Sequence, residues 1–209
     1  MNDYDNKLEK FLIPLIKDLK EPKIFEMGVR DGISTKKIIN ICDKNNGKLY
    51  SVDIDDCSNI SSNKKWKFIH GRDDDFEKIK DIVPQNLDLI FLDTLHEADH
   101  VEKIFYMYFN FLKNGGYFVI DDISFLPYLK EKDGNNFYCE INNKETFERI
   151  LEIYNCNEKK FDINFSFLSS GLAIIQKKTN ENLNLRLPID SRSFSFKNFL
   201  RLLWKKIKN

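Results

Sequence analysis

Glu26-Met27-Gly28-Val29-Arg30-Asp31-Gly32-Ile33-Ser34 is the stretch from which the rest of the chain can be read. Lys23 to Glu26, following Pro22, predicts a short strand, and Ser34 and Thr35 open a segment of helical spacing. Where a strand turns into a helix through glycines, the backbone can approach a ligand while helix amides face it. The spacing is ExGxxxGxS and not the GxGxxG of dinucleotide sites, so a pyrophosphate would be poorly served. Asp53 ends the next expected strand, Lys48 to Asp53, about twenty residues onward, where a carboxylate can accept both hydroxyl protons of a ribose. Glycine turn and ribose acid together suggest a nucleoside cofactor.

Outward from this turn the pattern repeats. Trp66 to His70 predicts a third strand ended by Gly71, and Phe76 to Ile82 a helix. Leu87 to Leu92 is apolar apart from Asp88, as expected of a strand buried on both faces, and it ends at Asp93. Val101, Ile104, Phe105, Tyr108, Phe111 and Leu112 return to helical spacing, with Asn114-Gly115-Gly116 as the expected cap. Tyr117 to Ile120 predicts a strand ending at Asp121-Asp122. Ile123 to Asn143 lacks periodicity and reads as a functional loop or lid, whose Phe125, Tyr128, Phe137 and Tyr138 could stack on a substrate or simply pack. Glu145 to Tyr154 predicts a helix, and Phe161 to Leu168 with Gly171 to Lys177 a hairpin across Ser169-Ser170.

Upstream, Leu8, Phe11, Leu12, Leu15, Ile16 and Leu19 predict an amphipathic first helix kinked at Pro14. Strands alternating with helices and closing in a hairpin imply an α/β fold, a doubly wound, mostly parallel sheet with one antiparallel strand at or near its edge. The expected layout is one domain over residues 1–178, a polar linker over 179–193 and a basic amphipathic helix over 194–209. That last segment has six basic residues from Ser191 onward and no acid, so it could lie on an anionic membrane, pack on its own domain or mediate self-association.

Composition narrows the classes. With 209 residues and 42% hydrophobic content there is material for one sizeable core. Thirty-three basic residues balance thirty-three acidic ones, so no overall field draws the chain to nucleic acid. Cys42, Cys57, Cys139 and Cys156 match neither a zinc site nor a disulfide framework, and the reducing cytoplasm is the expected location, with peripheral membrane contact through the tail as a further option. The first ten residues are polar, without the apolar core of a secretory signal.

From Lys23 to Lys177 the sequence resembles class I S-adenosylmethionine-dependent methyltransferases, in particular the catechol-type O-methyltransferases, the sugar and macrolide O-methyltransferases, and cephalosporin-hydroxylase-like proteins. The resemblance implies that Gly28 and Gly32 face the amino-acid part of S-adenosylmethionine, that Glu26 orders the turn, and that Ser34 bonds the cofactor's carboxylate. It implies further that Asp53 holds the ribose and that Gly71 and Asp73 border the adenine.

Asp93, Asp121 and Asp122 end strands that this topology makes neighbours, so three carboxylates converge at one rim. Unpaired acids repel one another, and a hard divalent cation, Mg2+ first among the candidates, would relieve the repulsion; the alternative is that Asp121 or Asp122 caps the following turn. The resemblance favours metal at these positions. His96, three residues after Asp93, stands where catechol-type enzymes carry a lysine and many sugar-type relatives a histidine, which implies a general base acting with Asp93. An ordinary imidazole, with a pKa of about 6.5, suits that work near neutrality; His100 is the substitute. The expected function is metal-assisted O-methylation of a hydroxylated small molecule or sugar. The rival readings are a metal-dependent hydroxylase or hydrolase and a non-catalytic methyltransferase-like binding module.

Overall fold

The protein is described here by a computed structural model covering residues 3–126, 137–189 and 195–208. Strands β1 (Lys23–Met27), β2 (Lys48–Asp53), β3 (Trp66–His70), β4 (Leu87–Leu92), β5 (Leu112–Asp121), β6 (Phe161–Ser166) and β7 (Leu172–Lys177) form one sheet in the order β3-β2-β1-β4-β5-β7-β6. The first five run parallel, and β7 lies antiparallel between β5 and β6, as the closing hairpin required. The order reverses beside β1, between the β1–β2 and β1–β4 pairings, which opens a crevice at the carboxyl ends of β1 and β4.

The central strands are buried on both faces, and their side chains alternate between two cores. Phe25, Ile90, Leu92, Phe118 and Ile120 face the layer holding α4 (Ala98–Tyr108) and α5 (Phe137–Asn155). Ile24, Leu89, Phe91 and Val119 face the opposite layer, where α2 (Ile33–Lys44) and the N-terminal segment pack. Asp88, the one polar residue within β4, is buried because it accepts the Lys23 N–H at 2.7 Å and pairs with Lys113, tying the starts of β1 and β5 together.

The N-terminal segment winds in three ways: α1 (Asp3–Lys7), a wide π turn over Leu8–Leu12 and a 3-10 turn over Ile13–Leu15 that begins at Pro14's neighbour. The expected kink is therefore present as a change of winding. Short α3 (Phe76–Lys80) follows β3.

Three expectations are corrected. Asn114-Gly115-Gly116 does not cap a helix: α4 ends at Tyr108, and β5 already starts at Leu112, paired with Leu87. The lid ends sooner than expected, because α5 begins at Phe137; Asn142 and Asn143 are weak helix formers, but buried Asn143 donates to the Ser124 carbonyl at 2.8 Å and is held there by that tertiary bond. The polar linker is in part a strap, since Leu183 packs on the core, the Asn184 N–H donates to Asn157 Oδ1 at 2.7 Å, and Arg186 bonds Glu102 and Glu152, each at 2.9 Å. Residues 127–136, including Tyr128, and the side chains of Phe137 and Tyr138 lie outside what is described; Phe125 packs on Phe147 with ring centres 6.0 Å apart.

Among the described residues, no helix is long and apolar enough to cross a membrane. The last element is α6 (Phe196–Lys208).

Candidate functional site

The turn after β1 is organised around a buried carboxylate. Glu26 accepts hydrogen bonds from the hydroxyls of Ser34 (2.6 Å), Thr35 (2.8 Å) and Ser51 (2.7 Å), and Trp66 Nε1–H donates to Ser51 Oγ at 2.9 Å. One acid thereby fastens α2 and β2 to β1. Burial pushes the Glu26 carboxyl up to about 6, against the pull of the three hydroxyl donors. Ser34 lines the second cleft described below, and its hydroxyl donates to Glu26.

Gly28 carries a positive φ of 93°, and a Cβ there would come within 1.9 Å of the Asp93 carbonyl oxygen. Only glycine lets the ends of β1 and β4 come this close. Gly32, at φ 71°, has its Cβ space filled by Ile60 at 2.4 Å, so it is a packing and turn glycine at the start of α2.

Asp53, at the end of β2, accepts the N–H groups of Val29 (2.7 Å) and Arg30 (3.0 Å) on one oxygen and that of Asp55 (2.9 Å) on the other. Partial burial works upward on its carboxyl, but these backbone donors outweigh it and hold the group below the usual carboxylate range.

Asp73 is buried, not a solvated loop acid. It accepts from Thr94 Oγ1–H at 2.6 Å and faces His100 Nε2 at 2.8 Å, and its backbone carbonyl accepts from Tyr108 at 2.9 Å. Burial works against its charge, while His100 and Thr94 hold it below the usual range. His100 is thus engaged by Asp73 and is not a spare base. These residues line a cleft of about 500 Å³ with Gly28, Gly71, Asp93 and Leu95. Ile54 and Leu95, 63% and 48% exposed, present bare apolar side chains at its mouth.

A second cleft of about 450 Å³ adjoins it, sharing Gly28, Arg30, Asp93 and Thr94, and adds Tyr4, Ile33, His96, Asp121 and Asp122. The acids do converge as the strand order implied. Their partners, however, were not expected. Tyr4 O–H donates to Asp93 Oδ2 at 2.6 Å, and fully buried Lys7 bonds Asp121 Oδ1 and Ser170 Oγ. Burial and the neighbouring acids push Asp93 and Asp121 above the carboxylate range, against the pull of Tyr4 on Asp93 and of Lys7 on both. Asp121 Oδ1 also accepts the Asp122 N–H at 2.8 Å, and Asp122 sits at φ 57°, so the turn-capping role is present as well.

His96 Nε2 lies 3.3 Å from Asp122 Oδ2 and 3.6 Å from Asp93 Oδ1.

This arrangement does not fit a divalent ion held by three carboxylates. The ammonium of Lys7 already supplies the positive charge at Asp121, and Tyr4 occupies an oxygen of Asp93. Among the described residues no group of three or more His, Cys, Asp or Glu is disposed to hold a metal. Asp93, Asp121 and Asp122, the expected metal ligands, stand in this proton and charge network.

Tyr4 and Lys7 escaped the sequence reading because their segment is polar. The available signal was spacing: Tyr4, Lys7, Leu8 and Phe11 fall three and four apart, which sets a lysine within an apolar stripe. Ser51 and Thr94 carried no such signal, since their partners come from distant strands.

Residues 25–123 match the model of a family described as a methyltransferase domain. No curated protein matches the chain. Among solved structures, MycE methyltransferase from the mycinamycin biosynthetic pathway, in complex with Mg and SAH, is 17% identical with a TM-score of 0.64, over 85% of this chain and 51% of that one. This chain thus spans about half of MycE's length. A putative caffeoyl-CoA O-methyltransferase from Staphylococcus aureus is 19% identical with a TM-score of 0.62, over 85% and 84% of the two chains. The SAH-bound Podospora anserina methyltransferase PaMTH1 is 14% identical with a TM-score of 0.62, over 75% and 71%. The seven-stranded sheet with its antiparallel closing hairpin and these likenesses agree: the chain has the class I methyltransferase fold, and residues 25–123 are similar to a methyltransferase domain.

Proposed function

We propose that the protein transfers a methyl group from S-adenosylmethionine to an oxygen of a hydroxylated small molecule or sugar. The observation that carries this reading is the pair of joined clefts, one walled by Asp53, Asp73, Ile54 and Leu95, the other by His96, Asp93 and Asp122, meeting at Gly28, Asp93 and Thr94. The residues of the first cleft fit the donor: Asp53, held as a carboxylate by backbone amides, lines it where ribose hydroxyls would lie, and exposed Ile54 and Leu95 offer apolar faces to a planar base. When bound, the donor supplies an electrophilic methyl carbon on a sulfonium.

In the second cleft His96 takes the proton of the acceptor hydroxyl as the carbon–oxygen bond forms and the carbon–sulfur bond breaks. Asp93 and Asp122, both within 3.6 Å of Nε2, orient the ring and stabilise the imidazolium that results. From the N-terminal segment Tyr4 holds Asp93, and Lys7 holds Asp121, whose carboxylate in turn accepts the Asp122 N–H. Positioning of donor and acceptor across the shared wall supplies much of the remaining rate.

The test is calorimetry with S-adenosylmethionine and S-adenosylhomocysteine, followed by a screen of hydroxylated sugars and phenols with labelled donor. Binding of both compounds and label transfer to a hydroxyl are expected. Absence of binding at millimolar donor would overturn the reading.

A further inference from the structure

The exposed apolar side chains of this protein are concentrated at one end. Among the described residues, ten of the sixteen exposed large hydrophobics lie between Leu185 and Ile207, seven of them on one helix, α6. In α6, Phe196, Phe199, Leu200, Leu203, Trp204 and Ile207 recur at spacings of three and four and share one face; even Leu203, the least accessible, is 43% exposed. Lys197, Arg201 and Lys205 run down one border of that stripe, and Lys206 lies at the other.

Charge selects the occupant. Residues 191–209 carry six basic residues and no acidic one in a chain whose total charge is zero, so positive charge is gathered here and balanced elsewhere. Two copies of α6 set face to face would bring their cation rows together with no acid between them. An aqueous protein partner would have to supply both an apolar groove and an acidic rim, whereas an anionic bilayer offers both in one plane.

We propose that α6 lies in the interface of an anionic lipid bilayer. The apolar stripe enters the headgroup–acyl boundary and the lysines and arginine reach the lipid charges. Thirteen residues make a helix of about 20 Å, shorter than the roughly 30 Å hydrocarbon core, so it lies along the membrane and does not cross it. This attachment is independent of the proposed methyl transfer, and its test reads binding alone.

The experiment is co-sedimentation of the full chain with phosphatidylcholine vesicles and with vesicles containing phosphatidylserine, accompanied by tryptophan fluorescence. Binding to the anionic vesicles only is expected, weakened by salt, with a blue shift that is lost in Trp204→Phe. The triple variant Phe199→Ser, Leu203→Ser, Trp204→Ser should lose binding. The triple variant Lys197→Glu, Arg201→Glu, Lys205→Glu should weaken it well over tenfold, at about fivefold per cation removed. Thermal unfolding of both variants identifies any loss of fold, and the charge variant stands as the measure if the apolar one unfolds. Equal affinity for neutral vesicles, no binding to anionic ones, or an α6-dependent dimer that vesicles do not dissociate would overturn the proposal.

Discussion

Lys7 Nζ and Asp121 Oδ1 are hydrogen-bonded with both side chains out of water, 114 residues apart in sequence. The pair joins the N-terminal segment to the end of β5, behind the second cleft, which Asp121 lines. Removing one partner of a buried pair leaves the other charge without compensation. Lys7→Met is therefore expected to lower stability by about 3–5 kcal/mol, and Asp121→Asn in the same chain to restore part of the loss. Urea unfolding of the single and double variants measures the coupling; additive effects would show that the pair contributes nothing.

Because Lys7 supplies the positive charge at Asp121, turnover is expected to be insensitive to a strong chelator and unchanged by added magnesium. Assays with and without each reagent decide this. Loss of activity on chelation and its return with magnesium would mean that Lys7 gives way to a metal during catalysis.

On the donor side, Asp53→Ala removes an acceptor that also holds the Val29 and Arg30 amides. Leaving those donors and the ribose hydroxyls unpaired should weaken S-adenosylhomocysteine binding by about 1 to 3 kcal/mol. Calorimetry at matched pH gives the number, and unaltered affinity would remove Asp53 from the donor site.

His96→Ala is expected to reduce turnover roughly 100-fold with donor affinity intact, the usual contribution of a positioned base. Asp122→Asn, which removes the charge nearest to Nε2, should lower turnover less. Equal turnover in wild type and His96→Ala would leave the acids alone to manage the proton.

Glu26 gives a pH signature in stability. Burial raises its carboxyl from 4.5 to about 6 in the folded protein, so the folded state binds that proton more tightly than the unfolded chain does. The resulting stabilisation is fully present below about 4.5 and is lost as pH rises through about 6, a change of about 2 kcal/mol. Denaturation of wild type and Glu26→Gln across this range should show the slope from this group only in the wild type.

The strand–turn–helix order, the parallel sheet and the convergence of Asp93, Asp121 and Asp122 were legible because strand ends are written locally, as apolar runs stopped by glycine or aspartate. What each side chain does at those ends was less legible. Ser34 stands next to the turn and its hydroxyl donates to Glu26, and Asp73, expected at the adenine, is held by Thr94 and His100 from beyond β4. Such roles depend on partners 8 to 27 residues away, which periodicity does not encode. Lys7 is the extreme case: its spacing with Tyr4, Leu8 and Phe11 puts it on the apolar stripe, but nothing local names a carboxylate on β5 as its partner.

The contact at Gly28 bears on how such a site could diversify. With only a hydrogen atom fitting at Gly28 between the ends of β1 and β4, main chain meets main chain at the centre of the proposed boundary between donor and acceptor, and a side chain added there would disturb both. Ile33, by contrast, reaches the proposed acceptor cleft from outside the sheet, at the start of α2, where its side chain can change without moving a strand. New acceptor preferences are therefore open to selection at the periphery, while donor use stays tied to the backbone geometry of the sheet.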